Sequence, residues 1–274
     1  MADGTDDAAQ RAYALSCLGT ALCHSDRYDE AMPVLDDAVI ACRRAGVLRG
    51  LLNAQMFGSI ALANLGRFRP ALAWAERLVT EAARFDAPYY HPRALNILAL
   101  IWRELGEPSR ARDLAEEALA TSSTSDGGVE GEPAANALLA LAESALHADD
   151  DAGAFGRLDE IQPLLSDRVG FAWRIELRRT EIYARTDLAQ AEALLISARD
   201  FGSAKYEALA LSYLARPDDA LATAQRTGSG WLVARVAPEA TARQHAERLA
   251  ADLPPELRRG FVELGPLLHR FQHR

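Results

Sequence analysis

One pattern returns along the first part of this sequence at a constant interval. Ala31, Ala71 and Ala111 occupy positions that differ by 40 residues, and each follows a short turn-like segment. A unit of this length has room for two helices and two turns, yet it is too small to bury an apolar face alone. Successive units must therefore stack side by side, so the interval predicts an α-solenoid.

The residues inside one unit indicate how it folds. In the first helix of the third unit, apolar side chains recur at the helical spacing i, i+3, i+4 and i+7, at Leu95, Leu98, Ala99 and Trp102. Gly66 and Gly106 follow the first helices of their units, where glycine takes the left-handed conformation that ends a helix. Helices of about 17 residues, roughly 25 Å long, fit the interval.

The pattern resembles the tetratricopeptide repeat, whose unit carries a large residue, a Leu-Gly pair, an aromatic residue and two spaced alanines. The units centred on Ala31 and Ala111 match it closely, whereas around Ala71 the pair Phe57-Gly58 comes one residue early and predicts a shifted first helix. HEAT-type repeats of about 40–47 residues are the alternative, but the tight turn before each alanine favours the tetratricopeptide repeat. The resemblance implies an all-α, right-handed superhelix of about five to six antiparallel helix pairs.

The pattern divides the chain into five segments. We expect a disordered N-terminus over residues 1–10, three well-formed repeats over 11–120, and a polar, flexible loop rich in Gly and Ser over 121–133. Degenerate repeats follow over 134–226, and C-terminal helices over 227–274 are predicted to cap the open end of the stack. Because no run of alternating β-branched residues occurs, the whole chain is predicted to be helical.

A second resemblance concerns the later part of the chain. The stretch from Arg199 to Leu211, with Pro217 to Ala220 behind it, is similar to the C-terminal helical region of large actinobacterial signalling ATPases, including LuxR-type regulators and cyclase-linked ATPases. In those proteins the helical repeats follow a nucleotide-binding module, but this sequence has no GxxxxGK[ST] motif. The resemblance therefore implies a sensor or protein-binding arm without ATPase, cyclase or DNA-binding activity.

Charge and composition narrow the classes of function. The sequence has 30 Lys and Arg residues against 39 Asp and Glu, a net charge of −9, which disfavours nucleic acid as a partner because phosphate contacts need clustered cations. No window approaches about 18 uninterrupted apolar residues and the N-terminus is acidic, so neither a membrane span nor a signal peptide is predicted. Three cysteines without CxxC spacing indicate reduced thiols. We therefore expect a cytoplasmic protein without a membrane partner.

No combination of residues in the sequence indicates catalysis or a bound metal. The histidines form no HExxH motif, and only His269 and His273, beside the chain end, lie four residues apart. Cys23 and His24 are adjacent, so on a helix their side chains diverge by about 100°. Adjacent acidic residues diverge in the same way and suit solvated faces better than an acid–base pair. We predict no enzyme activity, no metal and no cofactor.

The candidate site is the concave wall of the solenoid, which the first helices of the units line. Residues offset from the apolar stripe of each first helix should face this groove. They combine amides, hydroxyls, aromatic rings and arginines, a mixture that suits an extended peptide. The candidate residues are Tyr13, Ser16, Thr20, Asn53, Met56, Asn64, Arg93, Asn96, Arg103, Asn136, Glu143, Trp173, Glu176 and Tyr183.

Three of these residues suggest a more specific hypothesis. Arg93, Asn96 and Arg103 present donors that together suit one carboxylate, because guanidinium groups bind carboxylates bidentately. The peptide-carboxylate clamp known in the tetratricopeptide-repeat family uses lysines with asparagines. Those lysines are missing here, so the resemblance does not imply that clamp.

The sequence thus predicts a non-enzymatic protein- or peptide-binding scaffold or regulatory module. The first alternative is a small-molecule-sensing arm of a regulator, whose sign would be a deep aromatic pocket near Trp102, Trp173 and Tyr183. The second is an enzyme built on the solenoid, whose sign would be a buried polar cluster with perturbed pKa values. An end helix also offers a surface for a homo-oligomer, and the sequence does not decide this point.

Overall fold

A computed structural model describes residues 3–122, 130–165 and 172–264 of the chain. These residues form fifteen α-helices, one short 3-10 helix at Gln162–Leu164 and no strand. The helices are α1 (Asp3–His24), α2 (Tyr28–Ala45), α3 (Leu48–Leu65), α4 (Phe68–Arg84), α5 (His91–Glu104), α6 (Pro108–Thr121), α7 (Gly131–His147), α8 (Asp151–Asp159), α9 (Ala172–Ala184), α10 (Leu188–Asp200), α11 (Ala204–Tyr213), α12 (Pro217–Arg226), α13 (Gly230–Val236), α14 (Glu239–Ala250) and α15 (Pro255–Leu264).

Consecutive helices pack against one another as antiparallel-type pairs, which confirms the predicted α-solenoid of the tetratricopeptide type. Helices α2, α4 and α6 begin 40 residues apart, and Ala31, Ala71 and Ala111 are each the fourth residue of their helix. All three alanines are completely or almost completely buried, with at most 1% exposure. The repeat in the sequence is therefore a repeat of the same packing environment.

The turns inside the first three hairpins need left-handed backbone. Gly66 and Gly106 have φ values of +81° and +80°, as their place at the ends of α3 and α5 predicts. Asp26 takes the corresponding place after α1 with a φ of +56°, a conformation that Asp tolerates better than most residues. Close approach is visible at Gly19, where an added Cβ would lie 2.4 Å from the side chain of Leu35.

The odd-numbered helices from α3 to α13 form a closed ring. Each packs on the next odd-numbered helix, and α13 returns to contact α3, while α1 lies on α3. The sequence predicted a curved superhelical stack, and the contact between α13 and α3 adds a closure that the repeat pattern does not predict. The physical reason is a set of polar contacts between distant segments, which helical periodicity does not reveal.

Several predicted boundaries change. Helix α1 begins at Asp3, inside the segment 1–10 for which the sequence predicts disorder. Of the loop predicted over 121–133, residues 123–129 lie outside the described residues, and Gly131 already begins α7.

The last two helices pack against hairpin turns in the first half of the chain. Leu249 of α14 contacts the turn at Gly66, and Gly260 of α15 lies directly against Gly106. The rings of Phe261 and Phe68 meet edge to face with centroids 5.2 Å apart. The C-terminal helices α14 and α15 therefore cover the turns of the second and third hairpins. The sequence predicted only that they would cap the end of the stack. No described helix has the combination of length and apolarity that a bilayer span requires.

Candidate functional site: the cavity inside the helical ring

The ring of odd-numbered helices encloses a cavity of about 850 Å³. Helices α1, α3, α5 and α7 line it from the first half of the chain, and α9, α11 and α13 line it from the second half. The first helices of the hairpins thus form its wall, as the solenoid predicts.

Nine of the fourteen predicted site residues line this cavity. They are Thr20, Asn53, Met56, Asn64, Arg93, Asn96, Arg103, Asn136 and Glu143. The other five lie elsewhere: Tyr13, Ser16, Trp173, Glu176 and Tyr183. The first group comes from α1, α3, α5 and α7, where the 40-residue repeat fixed the register, and three of the second group come from α9.

The two outliers on α1 have different surroundings. Ser16 is completely buried, and its hydroxyl accepts a hydrogen bond of 3.1 Å from the amide of Asn53 on the next odd-numbered helix. Tyr13 is 37% exposed, and the guanidinium of Arg49 lies 5.9 Å from its ring centroid. Ser16 therefore supports a cavity residue from behind, whereas Tyr13 lies outside the cavity.

Helix α9 faces the cavity with a different set of residues from the predicted one. Trp173 stacks on Phe201 at a centroid distance of 5.1 Å, and Tyr183 stacks on Phe155 at 5.4 Å. The cavity is lined instead by Arg174, Ile175, Arg178 and Glu181. The predicted register was wrong by about one residue. A charged stripe at the helical spacing, at Arg174, Arg178, Glu181 and Arg185, was the signal that identifies the inner face.

None of Trp102, Trp173 and Tyr183, where an aromatic pocket would have favoured a small-molecule sensor, lines this cavity. Trp102 instead lies under the guanidinium of Arg110, which is 4.6 Å from its ring centroid. Aromatic side chains do line the cavity, but other ones. These are Tyr28, Phe57, Tyr89, Tyr206 and Trp231.

Arg93 and Arg103 are already paired with carboxylates of the chain. Arg93 forms ion pairs of 2.9 and 2.7 Å with Glu130 and Glu132, and Arg103 pairs with Glu104 and Glu143. The remaining donor of the predicted group, the amide of Asn96, binds the carbonyl oxygen of Pro133 at 2.8 Å. The three residues therefore lie in the cavity wall, but their donors serve internal partners and do not form a vacant carboxylate site.

Beside Arg103 lies a buried cluster of charges that joins α7, α9 and α13. The carboxylate of Glu143 forms ion pairs with Arg178 at 2.6 Å and with Arg185 at 2.8 Å. Arg185 also pairs with Glu181 at 2.8 Å, and Arg235 approaches Glu181 at 3.5 Å. Burial would raise the pKa of Glu181, but Arg185 and Arg235 outweigh it and lower that pKa to about 2. Glu181 therefore stays ionised at neutral pH.

A second polar contact joins the first turn of the chain to α9 and α11. The carboxylate of Asp26, 2% exposed, accepts hydrogen bonds from Arg174 at 2.9 Å, Ser203 at 2.6 Å and Tyr28 at 2.8 Å. Burial would raise the pKa of Asp26, but Arg174 and these hydrogen bonds lower it overall. Because Asp26 and Ser203 are 177 residues apart, this contact closes the ring.

A third contact joins α13 to α3 and α5. The indole N–H of Trp231 donates to the buried carboxylate of Glu104 at 2.9 Å, and the hydroxyl of Ser229 donates to the carbonyl oxygen of Asn64. Burial would raise the pKa of Glu104, but Arg103 and Arg235 lower it overall. An ionised carboxylate strengthens the indole hydrogen bond.

Lys205, the only lysine in the sequence, also lines the cavity. Its Nζ donates to the side-chain oxygen of Asn64 at 2.8 Å and lies 5.3 and 5.5 Å from the ring centroids of Trp231 and Tyr206. Burial lowers the pKa of Lys205 to about 7; Asp26 and Glu104 oppose this shift, and Arg174 and Arg235 add to it. Nothing in the sequence marked Lys205 as a site residue.

The pKa shifts of Glu181, Glu104 and Cys23 keep these groups in their ordinary protonation states at neutral pH. The shifts keep Glu181 and Glu104 charged, so neither is tuned towards neutrality as a general base is. Burial raises the pKa of the Cys23 thiol to about 12, which leaves it protonated. Within the described part of the chain, no three His, Cys, Asp or Glu residues cluster as metal ligands, and His269 and His273 lie outside that part.

Comparison with protein families identifies the hairpins. The family model described as tetratricopeptide repeat matches residues 11–45, which cover α1 and α2, and residues 93–123, which cover α5 and α6. These are the units centred on Ala31 and Ala111, the two that the sequence pattern singled out. These two hairpins are tetratricopeptide repeats. Tetratricopeptide repeats generally mediate interactions between proteins.

Outside the two matched segments, the chain has no family match. The hairpin of α3 and α4, centred on Ala71, is not matched, in agreement with its displaced Phe57-Gly58 pair. No curated protein sequence matches the chain. The resemblance to the signalling ATPases therefore stays a prediction.

Proposed function

We propose that the chain is a non-enzymatic interaction module that binds a peptide segment of a partner protein inside the helical ring. The observation that supports this proposal is the cavity of about 850 Å³, which the first helices of the hairpins line from both halves of the chain. Concave surfaces of this kind are where helical repeat proteins engage their partners.

The wall of the cavity offers both kinds of contact that a peptide needs. Met56, Ile60 and Leu100 present apolar surface for side chains. The side-chain oxygen of Asn96 is buried and accepts no hydrogen bond from any described residue. A buried acceptor without a donor is destabilising, so an incoming backbone N–H group at this point would be favourable.

Selection from a library of random peptides displayed on phage tests this proposal. A Leu100→Trp substitution places a large ring in the cavity, whereas Ile40→Trp changes the side chain of an exposed residue on α2. We expect peptides that bind the natural chain and the Ile40→Trp variant equally but bind the Leu100→Trp variant at least tenfold more weakly. Peptides whose affinity is the same for all three proteins would contradict the proposal.

A small-molecule ligand is the second candidate, and the volume of the cavity favours it. Pockets for small molecules have volumes of about 300–1,000 Å³, a range that includes this cavity. Native mass spectrometry of the purified chain tests this candidate: we expect an added mass that disappears on denaturation and in the Leu100→Trp variant. A native mass equal to that of the polypeptide, together with cavity-dependent peptides, would leave the peptide as the ligand.

A further inference from the structure

We infer that the ligand of the cavity carries an anionic group, a carboxylate or a phosphate, and that this group binds at Nζ of Lys205. This inference deepens the proposed function, because it names the chemistry of the group that the cavity accepts. It holds for a peptide with an acidic side chain and for a small organic anion alike.

The argument begins with the cations of the cavity wall. Six of them line it: Arg93, Arg103, Arg174, Arg178, Lys205 and Arg235. Each arginine has a carboxylate of the chain within ion-pairing distance. Among the described residues, no carboxylate forms an ion pair with Lys205, whose Nζ contacts the neutral side chain of Asn64. Among the six wall cations, Lys205 is therefore the one that forms no ion pair with a carboxylate of the described residues.

The surroundings of Nζ make the lack of an ion-paired carboxylate unfavourable for the protonated amine of Lys205. The amine lies between the faces of Trp231 and Tyr206, and the carboxylates of Asp26 and Glu104 are committed to Arg174, Ser203, Trp231 and Arg103. A buried charge without a partner is costly, so the free site disfavours protonation. A ligand carboxylate would supply the missing counter-charge, and the aromatic faces would exclude water from the pair.

The position of Lys205 also allows an anion bound at its amine to contact both halves of the chain. Asn64 holds Nζ from α3, while the lysine itself belongs to α11 on the other side of the ring. The amine therefore lies where both halves of the chain meet at the cavity. An anion bound there would touch both halves at once and would strengthen the closure of the ring.

Selective labelling tests the inference directly. Because the sequence has one lysine, protein made with ¹³C-lysine gives a single Cε signal, and the chemical shift of this signal follows the protonation of Nζ. The probes are two end-capped hexapeptides, one with three Glu residues and one with Gln at the same places, together with glutarate and inorganic phosphate. Peptide and small-anion arms distinguish the two sources of the anionic group.

We expect at least one anionic probe to bind and to raise the pKa of Lys205 by a unit or more, since an adjacent anion stabilises the ammonium group. Affinity for that probe should fall as the pH rises above neutrality, because the amine then loses its proton. The Gln peptide should leave the Lys205 signal at its free position. A Glu peptide that binds inside the cavity without moving the Lys205 signal would overturn the inference.

A pair of variants separates recognition from folding. Lys205→Met should weaken the affinity for the anionic probe by about tenfold or more, because a hydrogen bond to a charged group is lost. It should also leave the thermal midpoint equal or higher, because it removes an unpaired buried cation. Arg77→Gln, an exposed cation with the same charge change, should alter neither property. A lower midpoint for Lys205→Met with unchanged probe affinity would assign Lys205 a structural role and overturn the inference.

The inference and the proposed function fail in different ways. Phage-selected peptides that need the cavity but carry no acidic residue, and that bind Lys205→Met with full affinity, would refute the anionic group and leave the binding module intact. An anion that binds at Lys205 in a chain that selects no cavity-dependent peptide would refute the peptide and leave the anion site.

Discussion

The hairpins of the first half differ in chemistry from the seam, the set of contacts between the two halves that includes Asp26 with Arg174 and Trp231 with Glu104. Within the hairpins, small and apolar residues such as Ala31, Ala71 and Ala111 are buried against the neighbouring helix. At the seam, Asp26 binds Arg174 and Glu104 binds Trp231, with partners more than 100 residues apart in sequence. Stacking thus depends on apolar burial, whereas closure adds directional hydrogen bonds and ion pairs to the apolar contacts of Leu249 and Phe261 with the first half.

This difference separates the stability of the solenoid from the geometry of its site. Apolar burial is non-directional and tolerates small changes of position, so it suits a repeating stack. Hydrogen bonds between charged groups fix distance and direction, so they suit the place where two halves must meet around a ligand. Substitutions in the two regions should therefore have different consequences.

The largest effect is expected in the buried charge cluster. Glu143→Gln removes the carboxylate that pairs with Arg178 and Arg185, and it leaves buried guanidinium groups short of counter-charge. We expect a loss of about 3–5 kcal/mol in the free energy of unfolding, measured with urea. The matched control is Glu30→Gln, which removes an exposed pair with Arg27 and should change stability by less than about 1 kcal/mol. Equal losses for the two variants would contradict the account.

A smaller and pH-dependent effect is expected at the seam. Asp26→Asn should lower the free energy of unfolding by about 2–3 kcal/mol at pH 7, because Arg174 loses its buried partner. Since folding lowers the pKa of Asp26, its contribution is present above the pKa of the unfolded state and is lost as the pH falls through the folded pKa.

Urea titrations of natural and variant chains between pH 7 and pH 3 check the seam prediction. The difference between them should shrink as the pH falls. Asp86→Asn is the control, since Asp86 also has a left-handed backbone, with φ of +48°, but is exposed. A difference that stayed constant over this pH range would show that the charge of Asp26 does not stabilise the seam.

The smallest effect concerns two glycines that end helices with similar backbone. Gly106 has a φ of +80° and Gly46 a φ of +69°, so alanine should cost about 1 kcal/mol at each through backbone strain. At Gly106 the new Cβ would also lie 2.7 Å from the carbonyl oxygen of Gly260, whereas nothing lies within 4 Å at Gly46. Gly106→Ala should therefore lose about 1 kcal/mol more than Gly46→Ala by thermal unfolding. Equal losses would mean that α15 does not pack on this turn.

The sequence predicted the hairpins well for a physical reason. Apolar periodicity and glycines at helix ends are local signals, and a 40-residue interval repeats them at Gly66 and Gly106. The same signals fixed the inner faces of α3, α5 and α7, so most of the cavity wall from these helices was predicted. Where the interval fades, at α9, the register was wrong by one residue, and Trp173 and Tyr183 were placed on the inner face.

Closure of the ring was not predictable from the same signals. The contacts of Asp26 with Arg174 and of Trp231 with Glu104 join single residues that no local pattern relates. Lys205 could not be recognised from the sequence as a site residue either, because the argument for it depends on which carboxylates form ion pairs with the other cations in the folded chain. The site therefore follows from tertiary pairing of charges, whereas the fold follows from periodicity.

Exchange of the Trp231 indole proton tests most directly whether the two halves enclose the cavity. Protein labelled with ¹⁵N-tryptophan gives one indole signal for each of the four tryptophans, and Trp231→Phe assigns the signal of interest. If the ring is closed, this proton is buried in a hydrogen bond to Glu104, exchanges slowly with solvent, and shifts in the Glu104→Gln variant. A Trp231 proton that exchanged as fast as that of free tryptophan and did not respond to Glu104→Gln would contradict the closed ring.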